Sequence, residues 1–575
     1  MKKLISLLLV VMMAALCFAA CTPAPAGTDE PVADEPVADE PVADEPVADE
    51  PREKVLRINL SSEPAYLDPA LNSSVDGACL AANSFGGLYT YDAEGNYAPN
   101  FATGYTVSED GLTYVFTMRE GLVWSDGTPL TAKDFVYSWN RVLDPATAAD
   151  YSYMFGPLKS FEASEDGSTL TVVLNTPCAY MLDLMAFPTF YAVPQASVEA
   201  ATDWQTNPGA WCQDAGFISS GAFICESWTH DESMVYVKNP NYWDAENVKI
   251  ERLEFMLSAD DTAILAAYNN GDLDFADTVP TDAIAGLIGN PEFHTVDELG
   301  TYYACFNVNS KLFDGKTPEQ ANAMRRAFAL LVDRDYIVET VGQTGQKPAT
   351  SFIPAGMVDG AGGVFKDAAN WSYPVEDGYY SLERDVAGAI ALLEEAGFVF
   401  TDGKLDPSTP ISFEYLTNDT SGHIAVAECL QQDFGEIGIE MTIRSIDWAT
   451  FLDERKAGNY DIARNGWIAD FNDPVNMLEM WLTDSGNNDV QYGRNPENPA
   501  TPAWTEFDAL VNQIYAETDF AKRAELMHQA EDMLMETGAL LPIYYYNDIY
   551  MMSESMTGFF SNVYGTKFFL YCDVA

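Results

Sequence analysis

The sequence predicts an α/β fold of several packed domains, and three observations support this prediction. After residue 424 the chain alternates between helix and strand: a helix, the strand Ile439–Ser445, the helix Trp448–Lys456 and the strand Tyr460–Arg464. Such alternation is typical of α/β sheets with ligand residues at strand ends. Two hairpins, turning at Asp110-Gly111 and Asp166-Gly167, predict a small β-rich module. The 523 residues from position 53 are enough for two or three domains.

The N-terminus has the pattern of a bacterial lipoprotein signal. Lys2 and Lys3 precede a short apolar run, and small residues lead to Cys21. A transmembrane helix is the alternative, but the run is short and no other stretch of the sequence is long enough to span a bilayer. We therefore expect residues 1–20 to be removed and Cys21 to carry a lipid that anchors the protein.

Residues 21–52 are predicted to form an extended acidic, proline-rich tether. The unit Asp-Glu-Pro-Val-Ala repeats from Asp29 to Ala48, and its charges repel one another while its prolines prevent helix formation. At about 3 Å per residue, the tether can hold the folded part up to roughly 90 Å from the lipid. An expansion of the repeat that has no function predicts the same flexibility. A functional tether and a repeat without function therefore both stay open.

The charge of the chain excludes one class of partner. The formal net charge is −59, and removal of ten acids in the repeat and two lysines in the signal leaves 27 basic and 78 acidic residues. General nucleic-acid binding is excluded, because a polyanion would be repelled. Cationic ligands are compatible with this charge, although a solvated acidic surface explains it more simply.

Motifs for enzyme chemistry are missing from the sequence. No two of the histidines are four residues apart, so there is no His-Glu-x-x-His zinc helix. Neither a Gly-x-Ser-x-Gly elbow nor a Gly-x-x-x-x-Gly-Lys phosphate loop occurs. Pairs of carboxylates are not evidence for a glycosidase here, because among 88 acidic residues such pairs occur by chance. We expect neither an enzyme nor a cofactor or metal site, and a secreted hydrolase stays a remote alternative.

Seven cysteines follow Cys21 without forming a Cys-x-x-Cys motif. An odd number outside the cell leaves at least one of them unpaired. Cys212 and Cys225 flank a predicted turn and could form a disulfide. We expect most of the others to be buried and to pack as small hydrophobic side chains.

The ligand site is predicted in the stretch Asp461–Pro474. Asp470 stands between Trp467 and Phe471, and aromatic neighbours remove water from a carboxylate, so that it favours a cationic partner. That partner is either Arg464, in a structural ion pair, or the ammonium group of a ligand. A simple turn without any ligand role is the other alternative.

A helix is predicted directly after this acid. Asp473 and Pro474 are typical of an N-cap and a first helical residue, and the helix would continue through Trp481. Asp473 would thus have a capping role, whereas no such role falls on Asp470.

These residues also resemble a known family. The pattern Arg-x-Gly-Trp-x-Ala-Asp-Phe-Asn-Asp-Pro, from Arg464 to Pro474, is similar to the site strand of oligopeptide-binding proteins of ABC importers, solute-binding protein family 5. The resemblance extends from Val55 to the C-terminus and includes Leu67-Asp68-Pro69 and Trp124–Phe135. The last segment also predicts a variant capping box, Thr131 with Asp134.

The resemblance implies a fold of the type II periplasmic-binding-protein class, in which two α/β lobes close on a cleft and an extra β-rich domain is attached. The implied domains are a signal peptide (1–20), the tether (21–52), lobe I (53–85, 195–300 and 546–575), the extra domain (86–194) and lobe II (301–545).

The same resemblance implies roles for individual residues. In this family the aspartate of the motif binds the α-ammonium of an extended peptide, which the lobes hold as an additional strand. Asp470 would take this role and Trp467 would form the wall of its pocket, while Arg464 and Arg455 would meet main-chain or terminal carboxylate groups. The other implied ligand contacts are Trp448, Tyr151, Tyr303 and His423.

Departures from the family pattern leave the ligand open. Ser73 and Cys305 stand where acidic site residues are expected, and Phe187 stands where a histidine is expected. Gly300 and Ile468 stand where the family has two cysteines that form a disulfide. Both cysteines are replaced together, which is consistent with a correct alignment of this chain with the family. The same fold could therefore bind a nickel chelate, an oligosaccharide or another small solute.

The implied function is capture of oligopeptides for an ABC importer, without any bond being made or broken. The partners would be the peptide ligand and the permease and ATPase subunits of the importer. We expect a monomer that binds no nucleic acid. The lipid on Cys21 would place it at the outer face of the bacterial cytoplasmic membrane.

Overall fold

The computed structural model describes residues 53–367, 371–375, 378–498 and 500–575. The predictions for the signal peptide, the lipid on Cys21 and the tether lie outside the described residues. None of the helices within the described ranges is long and apolar enough to cross a bilayer.

One large mixed sheet runs through the fold and contains eleven strands, counted over the described residues. Lys347–Pro348 is the eleventh strand and pairs with Leu540–Met552 at its side. The other ten strands, from one edge of the sheet to the other, are Glu440–Ile446, Ser412–Asn418, Ile462–Ile468, Phe293–Phe306, Leu540–Met552, Phe275–Ala276, Val55–Asn59, Arg252–Met256, Ser233–Lys238 and Phe223–Thr229.

Two long antiparallel strands, Phe293–Phe306 and Leu540–Met552, form the middle of this sheet. Their register shifts between Asp297 and Thr301, so the residues in between leave the regular ladder. Beyond the shift, the first of these strands also pairs with Ile462–Ile468. The shift falls at the predicted boundary between the lobes, whose limits stay a prediction.

A separate sheet confirms the predicted β-rich module. Gly111 and Gly167 have φ values of 71° and 73°, because the predicted Asp-Gly turns need the left-handed region. The four strands, in spatial order, are Ala102–Val107, Thr113–Met118, Thr169–Leu174 and Leu158–Ala163. The short two-stranded ladders of the described chain are Tyr89–Tyr91 with Tyr97–Pro99, Phe400–Thr401 with Lys404–Leu405, Met556–Thr557 with Asp573–Val574, and Phe560–Ser561 with Lys567–Phe568.

The helices pack around these sheets. Thr131 and Asp134 form the predicted capping box, since each side chain accepts a hydrogen bond from the other's backbone. The α-helices in the described ranges are Val75–Ser84, Ala132–Leu143, Met181–Ala186, Gln195–Ala200, Asp261–Asn270, Ile284–Leu287, Pro318–Leu331, Arg334–Ile337, Val386–Glu395, Ser421–Gly435, Trp448–Lys456, Asn476–Glu479, Thr505–Ala516 and Phe520–Glu536.

The predicted alternation of helix and strand after residue 424 is confirmed. Ser412–Asn418 pairs in parallel with both Glu440–Ile446 and Ile462–Ile468, which helical crossovers make possible. The last strand was predicted to end at Arg464, but it continues to Ile468. Trp467 therefore belongs to the strand.

The helix predicted after Asp473 is shorter than expected, because it covers only Asn476–Glu479. The Asp473 carboxylate accepts a hydrogen bond from the Val475 N–H at 3.0 Å. It also forms a buried ion pair with Arg523, in which Nη1 and Oδ2 are 2.7 Å apart. Asp473 thus belongs to a turn and an ion pair, and the prediction of a long capped helix was wrong.

The described part of the chain contains no disulfide bond. All seven described cysteines are free, so the possible pairing of Cys212 with Cys225 is not found there. Five of the seven are buried, as expected for small hydrophobic side chains. Gly300 and Ile468 are direct cross-strand neighbours, at the place where the resemblance implies a disulfide in other members.

Candidate ligand-binding site

A cavity of about 390 Å³ lies among residues from distant parts of the described chain. Its volume falls within the range of small-molecule sites, about 300–1,000 Å³. Seven of the eight predicted ligand contacts line it: Tyr151, His423, Trp448, Arg455, Arg464, Trp467 and Asp470.

Two neighbouring elements supply seven of the residues that line the cavity. The helix Trp448–Lys456 presents Trp448, Leu452 and Arg455 to the cavity, and residues at this spacing lie on one helical face. In the following strand, Gly466 allows the Tyr546 hydroxyl to pass, since a Cβ at Gly466 would lie 2.1 Å from Tyr546 Oη. A larger residue at 466 would displace Tyr546 from the wall.

Asp470 follows the end of this strand, and neutral donors hold its carboxylate. The Tyr151 hydroxyl donates to Oδ1 at 3.2 Å, and the Asn476 amide donates to Oδ2 at 2.8 Å. Burial raises the pKa of Asp470 to about 7, and the two hydrogen bonds oppose this rise. No salt bridge joins Asp470 to Arg464 or to any other described base. Within the described chain, Arg464 is therefore not the partner of this carboxylate, and the alternative of a structural ion pair between the two is not found.

Asn476 is a site residue that the sequence analysis did not identify. Its fully buried side chain accepts hydrogen bonds at Oδ1 from Trp467 Nε1–H and from the Asp470 backbone N–H, both at 3.0 Å. Since Nδ2 donates to the Asp470 carboxylate as well, Asn476 fixes the acid and the indole relative to each other. Its position in a predicted helix gave no signal of this role.

Aromatic rings surround the carboxylate. The ring of Tyr151 lies 6.0 Å from that of Trp467 and 5.2 Å from that of Phe187, and all three residues line the cavity. Phe471, which was expected to flank the acid, stacks on Tyr180 at 4.1 Å outside the lining. The rings limit the access of water to the partly exposed Asp470, which strengthens any interaction between this acid and a cation.

The two predicted arginines differ in their surroundings. Arg455 Nε lies 2.8 Å from Asp489 Oδ2, so the charge of Arg455 is already compensated. Arg464 forms no salt bridge with a described acid, and its guanidinium lies 5.4 Å from the ring centre of Tyr302 and 5.6 Å from that of Trp448. Arg464 is thus the arginine whose charge is open to an anionic group in the cavity.

Tyr303 and His423 also differ in position. Tyr303 is fully buried outside the cavity lining, and its ring packs edge-on against Phe352 at 5.1 Å. The structure thus places Tyr303 in the core, which corrects the expectation of a ligand contact. His423 lines the cavity with Nδ1 3.2 Å from the Tyr302 hydroxyl. Burial and the neighbouring Arg464 hold the pKa of His423 well below its usual value.

A cavity beside a mixed α/β sheet, with aromatic walls, the carboxylate of Asp470 and the uncompensated guanidinium of Arg464, is typical of a solute-binding protein. Residues 96–489 match the family described as bacterial extracellular solute-binding proteins, family 5, middle region. The chain belongs to this family. Its members bind solutes for transport, so the expectation that the chain is not an enzyme is confirmed by its membership.

Individual relatives agree with this assignment. The chain is 32% identical over 527 residues to the oligopeptide-binding protein OppA of Bacillus subtilis, covering 88% of this chain and 89% of the relative. The structure of Haemophilus influenzae OppA in complex with RPPGFSPFR matches with a TM-score of 0.78 and 26% identity, covering 91% of this chain and 99% of that one. These likenesses confirm the predicted fold class.

The structure can also be compared with a relative in an open form. The unliganded open form of MppA, a periplasmic murein tripeptide-binding protein, matches with a TM-score of only 0.56 at the same 26% identity, covering 91% of this chain and 98% of that one. The chain thus superposes better on the peptide complex than on the open form.

Proposed function

We propose that this chain captures oligopeptides outside the cytoplasm for an ABC importer, and that Asp470 pairs with the α-ammonium of the bound peptide. The Asp470 carboxylate carries the proposal, because it lines the cavity and only neutral donors hold it within the described chain. An ammonium group would form charge-assisted hydrogen bonds there and favour the ionised acid. The similarity to the oligopeptide-binding protein OppA of Bacillus subtilis and to the peptide complex of Haemophilus influenzae OppA supports the same ligand class.

Arg464 complements this acid with the opposite charge. An extended peptide carries backbone carbonyls along its length and a carboxylate at its end, and the open guanidinium of Arg464 can donate to either. Arg455 has a different role in our proposal, because its ion pair with Asp489 shapes the wall. The remaining proposed contacts of the peptide are Trp448, Trp467, Tyr151 and His423.

Closure of two lobes around the peptide is the second part of the proposal. Lys456 Nζ donates to Asp150 and, at 2.6 Å, to Ser73 Oγ, and Ser73 Oγ lies 3.1 Å from Asp150 Oδ2. These residues belong to the predicted lobe II, extra domain and lobe I, so the cluster bridges all three. The better match to the peptide complex than to the open form also supports closure. A ligand that contacts both lobes shifts the equilibrium toward the closed form.

The place of action completes the proposal. A lipid on Cys21 and the tether of residues 21–52 would hold the monomer at the outer face of the cytoplasmic membrane. There the closed form would deliver its peptide to the permease of the importer. The extracellular character of the family supports this side of the membrane.

Mass spectrometry of the ligand released from purified protein tests the ligand class. We expect heterogeneous short peptides, because main-chain contacts hold peptides of many sequences. A single saccharide or a metal chelate in every preparation would contradict the proposal and favour the other solutes that this fold can bind. Cleavage of a bound peptide during incubation would favour the hydrolase alternative.

The affinity for a free-amine peptide should depend on pH through Asp470. The pKa of Asp470 is about 7 without ligand, and a bound ammonium lowers this pKa, so protons compete with the peptide. Affinity should fall by up to about tenfold per pH unit below about pH 7, and again above about pH 8 where the ammonium loses its proton. Calorimetric titrations across this range measure the profile. An N-acetylated peptide is the control, and an acid-side loss of the same size for this peptide would contradict the role of Asp470.

A further inference from the structure

Glu298 is a carboxylate in the cavity that the contacts proposed above do not use. It lines the cavity, and it makes no hydrogen bond or salt bridge with another residue of the described chain. An ionised carboxylate without a partner raises the free energy of the folded protein unless a ligand supplies a positive charge.

Irregular backbone places Glu298 at the cavity. The ladder between the two long strands shifts between Asp297 and Thr301, which is where Glu298 lies. Within the shift, the Leu299 N–H donates at 2.9 Å to Val563 O, outside the two long strands. A bulge of this kind turns a side chain away from the face that the regular alternation would give it.

A glycine leaves the space that this carboxylate occupies. Gly565 has a φ of 77°, and a Cβ added to it would lie 2.8 Å from Glu298 Oε1. The carboxylate thus rests directly against the Gly565 backbone. Both the strand irregularity and the glycine therefore position Glu298 at the cavity.

The neighbouring charges leave Glu298 uncompensated. Lys567 Nζ lies 3.0 Å from Asp277 Oδ1 and 3.0 Å from Asp548 Oδ2, so this ammonium already serves two carboxylates. All four residues line the cavity. Burial and the nearby Asp548 raise the pKa of Glu298 well above its usual value, and Lys567 opposes this rise. This part of the cavity is short of positive charge.

Buried side chains that line the same cavity also have hydrogen-bonding atoms without a partner among the described residues. Asn418 is 5% exposed and Arg464 is 8% exposed, and neither Asn418 Oδ1 nor Arg464 Nε has a partner within the described chain. Since buried polar atoms are nearly always bonded in native proteins, these atoms indicate a polar ligand. The described ranges contain no group of three or more histidine, cysteine or acidic residues placed to hold a metal ion.

We propose that Glu298 forms a second cation subsite of the cavity, which binds the ammonium or guanidinium of a basic side chain of the ligand. The inference rests on the proposed function, since it takes the ligand to be a peptide, and it makes peptides with lysine or arginine the preferred class. The cation forms charge-assisted hydrogen bonds with Glu298 and reduces its repulsion from Asp548. An acidic side chain in this place would add a further negative charge and is selected against.

Calorimetric titration with tetra-alanine and with its variants carrying one lysine at the second, third or fourth position tests this subsite. The lysine that reaches Glu298 should improve the affinity about tenfold over tetra-alanine, or about 1.4 kcal/mol. Glutamate at the same position should bind more weakly than alanine. In Glu298→Gln the ratio of lysine to alanine affinity should fall to about one, and Glu298→Asp should keep part of the preference.

Asp297→Asn is the matched control, because it removes the same charge from an exposed neighbour outside the cavity lining. This variant should keep the lysine preference, and thermal unfolding of each variant verifies that it is folded. Tetra-alanine binding without any gain from lysine, or a gain that persists in Glu298→Gln, would overturn the subsite and leave the proposed function intact. If none of these peptides binds, the proposed function fails and the subsite fails with it.

Discussion

Replacement of Asp470 by asparagine should weaken the binding of a free-amine peptide by about 2–4 kcal/mol, or roughly 30- to 1,000-fold. The ligand ammonium would lose its charged partner, whereas the amide keeps the shape of the carboxylate: its oxygen can still accept from Asn476, and its NH2 group can donate to the Tyr151 hydroxyl. Calorimetric titration of the variant with one peptide and with its N-acetylated form measures this effect. The loss should be much larger for the free amine.

The controls for this variant separate binding from folding. Asp126→Asn makes the same change in an exposed turn and should leave both peptides unaffected. Without ligand, Asp470→Asn should be at least as stable as the wild type, because the change removes a desolvated carboxylate that has no cationic partner. Equal losses for the free and the acetylated peptide would show that Asp470 does not bind the ammonium.

Replacement of Lys567 by methionine should lower the free energy of unfolding by about 3–5 kcal/mol at neutral pH. The Lys567 side chain is 3% exposed and is shared by Asp277 and Asp548, so its loss leaves two carboxylates without a cation. Methionine keeps most of the apolar stem, which separates the loss of charge from a loss of packing. Denaturant unfolding measures the change.

The pH dependence of this destabilisation gives a second check. Burial raises the pKa of Asp277 to about 7 even with Lys567 present, and loss of the ammonium raises it further. The folded variant then holds protons that the unfolded chain loses near pH 4, so its stability falls as the pH rises from about 4 through 7. Lys249→Met breaks an exposed pair with Asp573 and should cost less than about 1 kcal/mol. Similar losses in both variants would contradict the buried role of Lys567.

Signals between near neighbours in the sequence predicted particular turns and helix starts. The Asp-Gly turns and the capping box of Thr131 and Asp134 depend on residues only a few positions apart, and the structure contains them. Asp470 was recognised for a similar reason, because an acid among aromatics without a capping role has to find a cation. The resemblance to the family then added Trp448 to the predicted site, and Trp448 lines the same cavity as Asp470 and Arg464.

Long-range contacts decide the parts of the site that the sequence could not predict. Periodicity places Tyr303 on one face of a strand, but it cannot tell the core from the cavity. The ion pair of Arg455 with Asp489 and the bonds of Asn476 to Trp467 depend on how separate segments meet in space. No local pattern carries this information.

The proposed closure of two lobes gives the shift in register between the two long strands a mechanical role. Cross-strand pairing continues before Asp297 and after Thr301, so bending at this point would tilt one end of the sheet against the other without breaking the ladder. In that proposal the irregular segment would act as a flexure, and loading and unloading of the ligand would need no local unfolding.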